Sequence, residues 1–203
     1  EAVARWFGAR DLPTIYRVHG VPDEEKLDAF LELARAHGFD VPEAPADPRA
    51  LNDLLERFKG HAQQRALNQL LLRAMMQAVY SPENVGHYGL AAEHYLHFTS
   101  PIRRYPDLVV HRLLKEEWAR RQGDAVRRTA EPRLEELAAL SSERERAAME
   151  AEREIAATEK RLEESPNDAN LHNDFGNLLA LRSFPEQAAE QYELAAKLDS
   201  SNF

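Results

Sequence analysis

The most informative stretch of this sequence is His97-Phe98-Thr99-Ser100-Pro101-Ile102-Arg103-Arg104-Tyr105-Pro106-Asp107-Leu108. The serine–proline pair at its centre is typical of a helix start, because serine caps free N–H groups and proline suits the first helical position. Pro106 disfavours a helix interior, so the helix either kinks there or begins there. In both cases Arg103 and Arg104 are predicted to lie at or just before a helix N-terminus.

Two arginines at that end of a helix oppose the helix dipole, whose N-terminal end is positive. Their position makes sense if an anion such as phosphate lies between them and the free backbone N–H groups. The alternative is that Arg103 or Arg104 pairs with Asp107 or another carboxylate. Both interpretations are open from spacing alone.

The rest of the chain is mostly helical in pattern. Residues 13–19 have the β-branched and aromatic content of a strand, and residues 80–100 are predicted to form a strand pair or an extended loop. Asp23 is the predicted cap of a helix that ends at Gly38. A long helix is predicted from residue 132 to 164, with a break where Ser142 and Glu145 match a capping box. The fold class predicted is α+β, mostly α.

Residues 169–200 are predicted to form two helices of one hairpin. Their spacing is similar to one tetratricopeptide (TPR) repeat, through Phe175, Gly176, Leu179, Phe184, Ala188, Tyr192 and Ala195. A lone repeat cannot bury its outer face, so a protein partner is one expectation for the hairpin. The predicted domains are residues 1–157 and residues 158–203.

Composition limits the classes of function. The 203 residues carry a net charge of −9 and contain no cysteine, which excludes disulfides and thiolate metal sites and fits a cytoplasmic protein. The sequence has no run of about 20 apolar residues, so neither a membrane span nor a membrane partner is expected. Residues 103–121 hold six basic and three acidic side chains. A nucleic-acid site is therefore expected to be a local groove rather than a general basic surface.

Glu152 is a second candidate site residue. Its neighbours three and four positions away are all apolar, namely Ala148, Met149, Ile155 and Ala156. A carboxylate in that setting is expected to face the packed side of its helix, where it needs a partner. Arg103 is the candidate partner for a shared cleft, and an ion pair with a structural arginine is the alternative.

Three histidines, His87, His94 and His97, raise the question of a metal site. His94 and His97 are three residues apart, but the local pattern is not convincingly helical and no known zinc motif surrounds them. No metal ligands are predicted in this chain.

The residues quoted above resemble the ribonuclease R/II family of exoribonucleases. The resemblance lies in residues 87–108, with residues 16–19 and 22–27 upstream and 142–153 downstream, and it covers roughly residues 1–157. It implies the C-terminal part of an RNB-type catalytic domain. It also implies hydrolysis of single-stranded RNA from the 3′ end, releasing nucleoside 5′-monophosphates with Mg²⁺.

The resemblance implies roles for individual residues. Arg103 is expected to stabilise the phosphoryl transition state, and Glu152 to help hold the 3′-terminal nucleotide. Arg104, His87 and Tyr88 are the expected RNA-binding residues. The aspartates that bind Mg²⁺ in the family are expected upstream of Glu1, so this chain alone is predicted to be inactive.

A second hypothesis belongs to another class of function. In it the chain is a non-catalytic interaction module, in which the TPR-like hairpin binds a protein partner and the nuclease part is an inactive remnant.

Overall fold

The computed structural model describes residues 1–43, 47–127 and 129–200, and its fold is α+β with helix predominating. The elements follow in the order α1 (Ala2–Gly8), β1 (Tyr16–Val18), α2 (Glu24–Ala36), α3 (Pro48–Arg57), α4 (Gln64–Ala74), β2 (Val79–Ser81), α5 (Tyr105–Arg121), α6 (Glu131–Glu164), α7 (Ala169–Leu181) and α8 (Pro185–Ser200). A single 3₁₀ turn, Tyr88–Leu90, lies between β2 and α5. The predicted fold class, mostly helical with a short strand region, is confirmed.

The chain separates into two compact units, Glu1–Ser142 and Glu143–Phe203. The second unit begins within α6, earlier than the domain boundary predicted after residue 157. The reason is that Ile155 and Leu162 of α6 pack against the buried residues of α7. The predicted boundary stays a prediction, and residues 201–203 of the predicted second domain lie outside the described residues.

The first unit contains a two-stranded sheet. β1 and β2 pair antiparallel, with Arg17 opposite Tyr80 and Val18 opposite Val79. The sheet packs against a core that joins α1, α5 and the start of α6, whose most deeply buried side chains include Phe7, Ile15, Val110 and Leu134. The strand predicted within residues 13–19 is therefore confirmed.

A second hydrophobic cluster joins α2, α3 and α4. The Asp23 carboxylate accepts a hydrogen bond from the Lys26 N–H at 3.1 Å, which confirms the predicted cap of α2. After the helix, Gly38 adopts a φ of +84°, a left-handed conformation that suits glycine at a helix end. The rings of Phe30 and Phe58 meet edge to face in this cluster, 6.0 Å apart.

Helix α6 is continuous from Glu131 to Glu164, so the break predicted at Ser141 and Ser142 is wrong. Instead of capping a new helix, the two hydroxyls donate to carbonyl oxygens four residues earlier, at 2.6 Å for Ser141 and 2.9 Å for Ser142. Serine within a helix commonly makes this backward bond, which leaves the helical ladder intact.

In the second unit, α7 and α8 pack against each other and are joined by a short turn. The Asp168 carboxylate caps α7 by accepting from the Leu171 N–H at 3.1 Å. Phe175, Leu179 and Ala188 form the buried centre of the unit. The likeness of this helix pair to a TPR repeat stays a prediction.

None of the helices in the described ranges has the length and apolar character that crossing a bilayer requires.

Candidate functional site

The candidate site begins with a tight turn that precedes α5. The Ser100 carbonyl accepts hydrogen bonds from the N–H groups of Arg103 at 3.2 Å and Arg104 at 3.0 Å. Helix α5 then starts at Tyr105, with Arg104 as the capping residue and Pro106 in the first turn. The sequence allowed either a kink at Pro106 or a helix that begins there, and the structure shows the second. Proline is tolerated in the first turn because the N–H groups of that turn have no partner within the helix.

Arg104 is held by an ion pair. Its Nη2 donates to Asp107 Oδ1 at 2.8 Å, and Asp107 is completely buried while the Arg104 side chain is 22% exposed. The carboxylate interpretation offered from the sequence is therefore correct for Arg104. A contact between Arg104 and RNA stays a prediction, and the ion pair with Asp107 already engages its guanidinium.

Arg103, unlike Arg104, is not held by an ion pair among the described residues. Its side chain is exposed, and no carboxylate or hydrogen-bond partner among the described residues engages its guanidinium. It lies in the turn directly before α5, near the free N–H groups and the positive end of the helix dipole. An unpaired guanidinium there can bind a phosphate with two parallel hydrogen bonds.

Four aromatic residues of the first unit are linked by ring contacts, and we call them the histidine–tyrosine cluster. They are Tyr80, His87, Tyr95 and His97. The Tyr80 hydroxyl and His97 Nδ1 are 2.9 Å apart. The Tyr95 ring meets His87 at 5.2 Å and His97 at 5.9 Å between ring centroids. Arg17 places its guanidinium over the Tyr80 ring at 4.6 Å.

The pKa values of both histidines of this cluster are lowered, which favours the neutral imidazole. Burial, followed by the positive charges of Arg104 and Arg17, lowers the pKa of His97 to about 4. Burial, followed by the charge of His19, also lowers the pKa of His87 below its ordinary value. Neutral imidazoles next to two arginines leave the positive charge of the region on the guanidinium groups.

His87 and Tyr88, the predicted RNA-binding residues, line an open hollow of about 340 Å³. The ring of His19 lies on the same hollow and is fixed by two hydrogen bonds, to the Met76 carbonyl at 2.5 Å and from the Gly89 N–H at 2.8 Å. Burial, followed by the charge of Asp47, raises the pKa of the Tyr88 hydroxyl.

Glu152 lies in the second unit and is exposed. The expectation that its carboxylate faces the packed side of α6 is wrong in this chain, because its apolar neighbours are themselves exposed or half-buried. The pairing of Glu152 with Arg103 and its contact with a terminal nucleotide stay predictions.

The three histidines considered as a metal site do not form one. His97 contacts Tyr80, and His94 Nδ1 lies 2.7 Å from the Asn84 side-chain amide. Among the described residues, no three histidine, aspartate or glutamate side chains are placed to hold a metal ion. The described side chains therefore do not themselves provide a site for Mg²⁺.

Sequence reasoning missed three residues of this region, Arg17, Tyr80 and Tyr95. Arg17 and Tyr80 are directly opposite in the sheet register, which becomes visible only when the strands are paired. Asp107 was considered only as a partner for an arginine, and its complete burial is a property of the folded chain.

The chain is similar in sequence to known proteins of one family. The RNB domain family matches residues 1–120. Ribonuclease R 1 of Lactococcus lactis subsp. lactis (strain IL1403) is 43% identical over 148 residues, which are 72% of this chain and 18% of that protein. The chain spans a fifth or less of the length of the curated relatives it matches.

Two solved structures are similar in fold. Mycoplasma genitalium RNase R in complex with ribose methylated single-stranded RNA has a TM-score of 0.68 and 27% identity, over 88% of this chain and 26% of that chain. Yeast Ssd1, described as a pseudonuclease, has a TM-score of 0.55 and 26% identity, over 70% of this chain and 17% of that chain. The match to the RNB domain covers more than half of the sequence, and on that ground the chain belongs to the RNB domain family.

Proposed function

We propose that this chain is part of a hydrolytic 3′–5′ exoribonuclease that degrades single-stranded RNA to nucleoside 5′-monophosphates. In this proposal the first unit contacts the RNA backbone near its 3′ end. Arg103 binds the phosphate and stabilises the negative charge that develops on it during hydrolysis.

One observation carries the proposal. Two adjacent arginines precede α5, and only one of them forms an ion pair within the described part of the chain. Arg104 is paired with the buried Asp107, whereas the exposed guanidinium of Arg103 has no partner among the described residues. An unpaired guanidinium at a helix start is suited to an anionic ligand.

The chemistry of Arg103 follows from its geometry. A guanidinium offers parallel N–H donors that match two phosphoryl oxygens, and it keeps its charge at any physiological pH. Donors directed at developing charge stabilise the transition state. Arg103 is thus a candidate catalytic residue as well as a binding residue.

The aromatic residues are proposed to position the bases. Successive bases of a single strand stack on aromatic side chains, and stacking is tolerant of sequence. His87 and Tyr88 line the hollow described above and are the proposed stacking residues. Glu152 is proposed to contact the 3′-terminal nucleotide, on the strength of the family resemblance alone.

The proposal extends to the metal and the cellular setting. The family implies a metal-dependent nuclease, and the ion proposed from the resemblance is Mg²⁺. The described side chains do not bring three possible ligands for that ion together. The cytoplasm is the proposed location.

The experiment that tests the proposal measures the affinity of the 203-residue chain for a fluorescent single-stranded RNA by anisotropy at low salt. Arg103→Ala is expected to weaken binding about tenfold, the loss typical of a charge-assisted hydrogen bond. Arg35→Ala removes another exposed arginine, from α2, and is the matched control. Equal losses in the two variants would mean that Arg103 contributes only general charge.

A second candidate function is the non-catalytic interaction module, and two observations favour it. One is the likeness to Ssd1, described as a pseudonuclease. The other lies in the second unit, where Leu181 is 82% exposed and Phe184 is 46% exposed. In this alternative the helix pair α7–α8 binds a protein, and Arg103→Ala leaves every function of the chain unchanged.

A further inference from the structure

Asp107 is a buried carboxylate to which the proposed function gives no role. It lies in the first turn of α5 and is 0% exposed. A buried charge is expensive unless it is paired and hydrogen-bonded. In Asp107, Oδ1 has partners, whereas Oδ2 is buried without a hydrogen-bond partner among the described residues.

The partners of Asp107 belong to the turn that carries Arg103. Asp107 Oδ1 accepts from the Ser100 N–H at 2.8 Å and from Arg104 Nη2 at 2.8 Å. The Ser100 carbonyl in turn accepts from the N–H groups of Arg103 and Arg104. Oδ1 therefore ties both ends of the turn to α5, and Arg103 lies between the tied ends.

We infer that Asp107 is a positioning residue, which acts with Arg104 to hold the turn so that the Arg103 guanidinium is presented to an RNA phosphate. The inference rests on the proposed function and deepens it, because it assigns the two adjacent arginines different tasks. Arg103 meets the ligand, and Arg104 neutralises and orients the carboxylate that fixes the turn.

The energetic reason is pre-organisation. Ordering a loose stretch of backbone costs conformational entropy, and ordering a long side chain adds to that cost. If the turn were free, RNA binding would have to order it, and the affinity gained from Arg103 would fall. A role through Arg103 therefore predicts that the effect of changing Asp107 disappears when Arg103 is absent.

The test combines RNA affinity with amide hydrogen exchange in the full 203-residue chain. The variants are Asp107→Ala, Asp107→Asn and Arg103→Ala, with Asp107→Ala also placed in the Arg103→Ala background. Val110→Ala is the matched control, because Val110 is equally buried on α5 but packs in the hydrophobic core away from the turn. It corrects for a general loss of stability.

Asp107→Ala is expected to weaken binding about threefold to tenfold, as the loss of a charge-assisted bond network implies. Asp107→Asn keeps one oxygen acceptor and is expected to recover part of this loss. Asp107→Ala should have no further effect in the Arg103→Ala background. In the Asp107→Ala variant, the backbone amide hydrogens of Ser100, Arg103 and Arg104 should exchange with solvent faster than they do in Val110→Ala.

The inference is overturned if Asp107→Ala weakens binding equally in both backgrounds, or if it matches Val110→Ala in both affinity and exchange. If Asp107→Ala does not fold, Asp107→Asn and Arg104→Met take its place with the same expectations, because each weakens the ion pair from one side. If Arg103→Ala leaves affinity unchanged, the proposed function fails. The exchange rates then decide the question: faster turn exchange than in Val110→Ala supports the role in the turn, and equal exchange overturns it.

Discussion

The backbone N–H of Tyr80 in β2 donates a hydrogen bond to the hydroxyl of Ser142 in α6 at 2.9 Å. The same hydroxyl donates to the Ala138 carbonyl, also at 2.9 Å. The bond joins residues that are 62 positions apart in the sequence and is buried. It ties β2 to α6. Tyr80 also belongs to the histidine–tyrosine cluster.

Ser142→Ala is expected to destabilise the first unit by about 1–3 kcal/mol, because it leaves a buried N–H without its acceptor. Ser141→Ala is the matched control, since its hydroxyl only donates to the Leu137 carbonyl, and it should change stability by less than about 0.5 kcal/mol. Urea unfolding followed by circular dichroism measures both. Equal effects would show that the bond to Tyr80 contributes nothing measurable.

Gly176→Ala is expected to destabilise the second unit by about 1–2 kcal/mol. An added Cβ would lie 2.6 Å from Tyr192 Cε1, and overpacking typically costs more than the helix propensity gained from alanine. The Tyr192 ring is held by the bond from its hydroxyl to Asn177 Oδ1 at 2.9 Å, which limits its retreat. Thermal unfolding measures the loss, and Tyr192→Leu in the same chain should recover most of it. A Gly176→Ala chain as stable as the unmodified one would refute the close approach of the two helices.

The stability of the first unit is expected to fall as the pH drops from about 6.5 to about 4. Burial and the charges of Arg104 and Arg17 lower the pKa of His97 to about 4, so the unfolded chain takes up a proton in this window that the folded chain does not. The contribution of neutral His97 to stability is fully present at a pH above the pKa that His97 has in the unfolded chain. It is lost as the pH falls through the pKa of about 4 that His97 has in the folded chain. His97→Gln removes the titration and should give a shallower dependence of Tm on pH. Parallel pH profiles for the two proteins would contradict the assigned cause.

Much of the fold could be predicted from the sequence, because its signals are local. The cap at Asp23, the left-handed Gly38 and the helix start at Pro106 depend on residues within a few positions of each other. Ser142 shows where this fails. Its pattern matches a capping box, but its hydroxyl is occupied by a distant backbone N–H and by a carbonyl of its own helix.

The candidate site was predictable in part. Two arginines before a helix, with an aspartate three residues beyond the second, allowed both interpretations offered from the sequence. The carboxylate interpretation is correct for Arg104, and the phosphate interpretation stays a proposal for Arg103. Which arginine takes which role depends on the burial of Asp107, which spacing does not reveal. The exposure of Glu152 likewise depends on what packs against α6, and its apolar neighbours alone predicted the opposite.

Purified residues 1–203 are expected to release no nucleotides from single-stranded RNA in the presence of Mg²⁺. Two-metal phosphoryl hydrolysis needs carboxylates that hold the ions, and the described part of the chain brings no three candidate ligands together. The measurement is a time course with labelled RNA, in which Arg103→Ala and a chelator exclude a contaminating nuclease. Mg²⁺-dependent release of mononucleotides that disappears in Arg103→Ala would show that the chain supplies its own metal ligands.

The most direct test of the account asks whether Arg103 touches a phosphate. The affinities of the unmodified chain and of Arg103→Ala are measured for a single-stranded RNA and for copies in which one phosphodiester near the 3′ end is replaced by a neutral methylphosphonate. The resulting double-mutant cycle isolates the interaction between that guanidinium and that phosphate. The account predicts that Arg103→Ala weakens binding about tenfold for normal RNA and has almost no effect for one methylphosphonate position near the 3′ end. A tenfold loss that persists at every methylphosphonate position, or no loss with normal RNA, would contradict it.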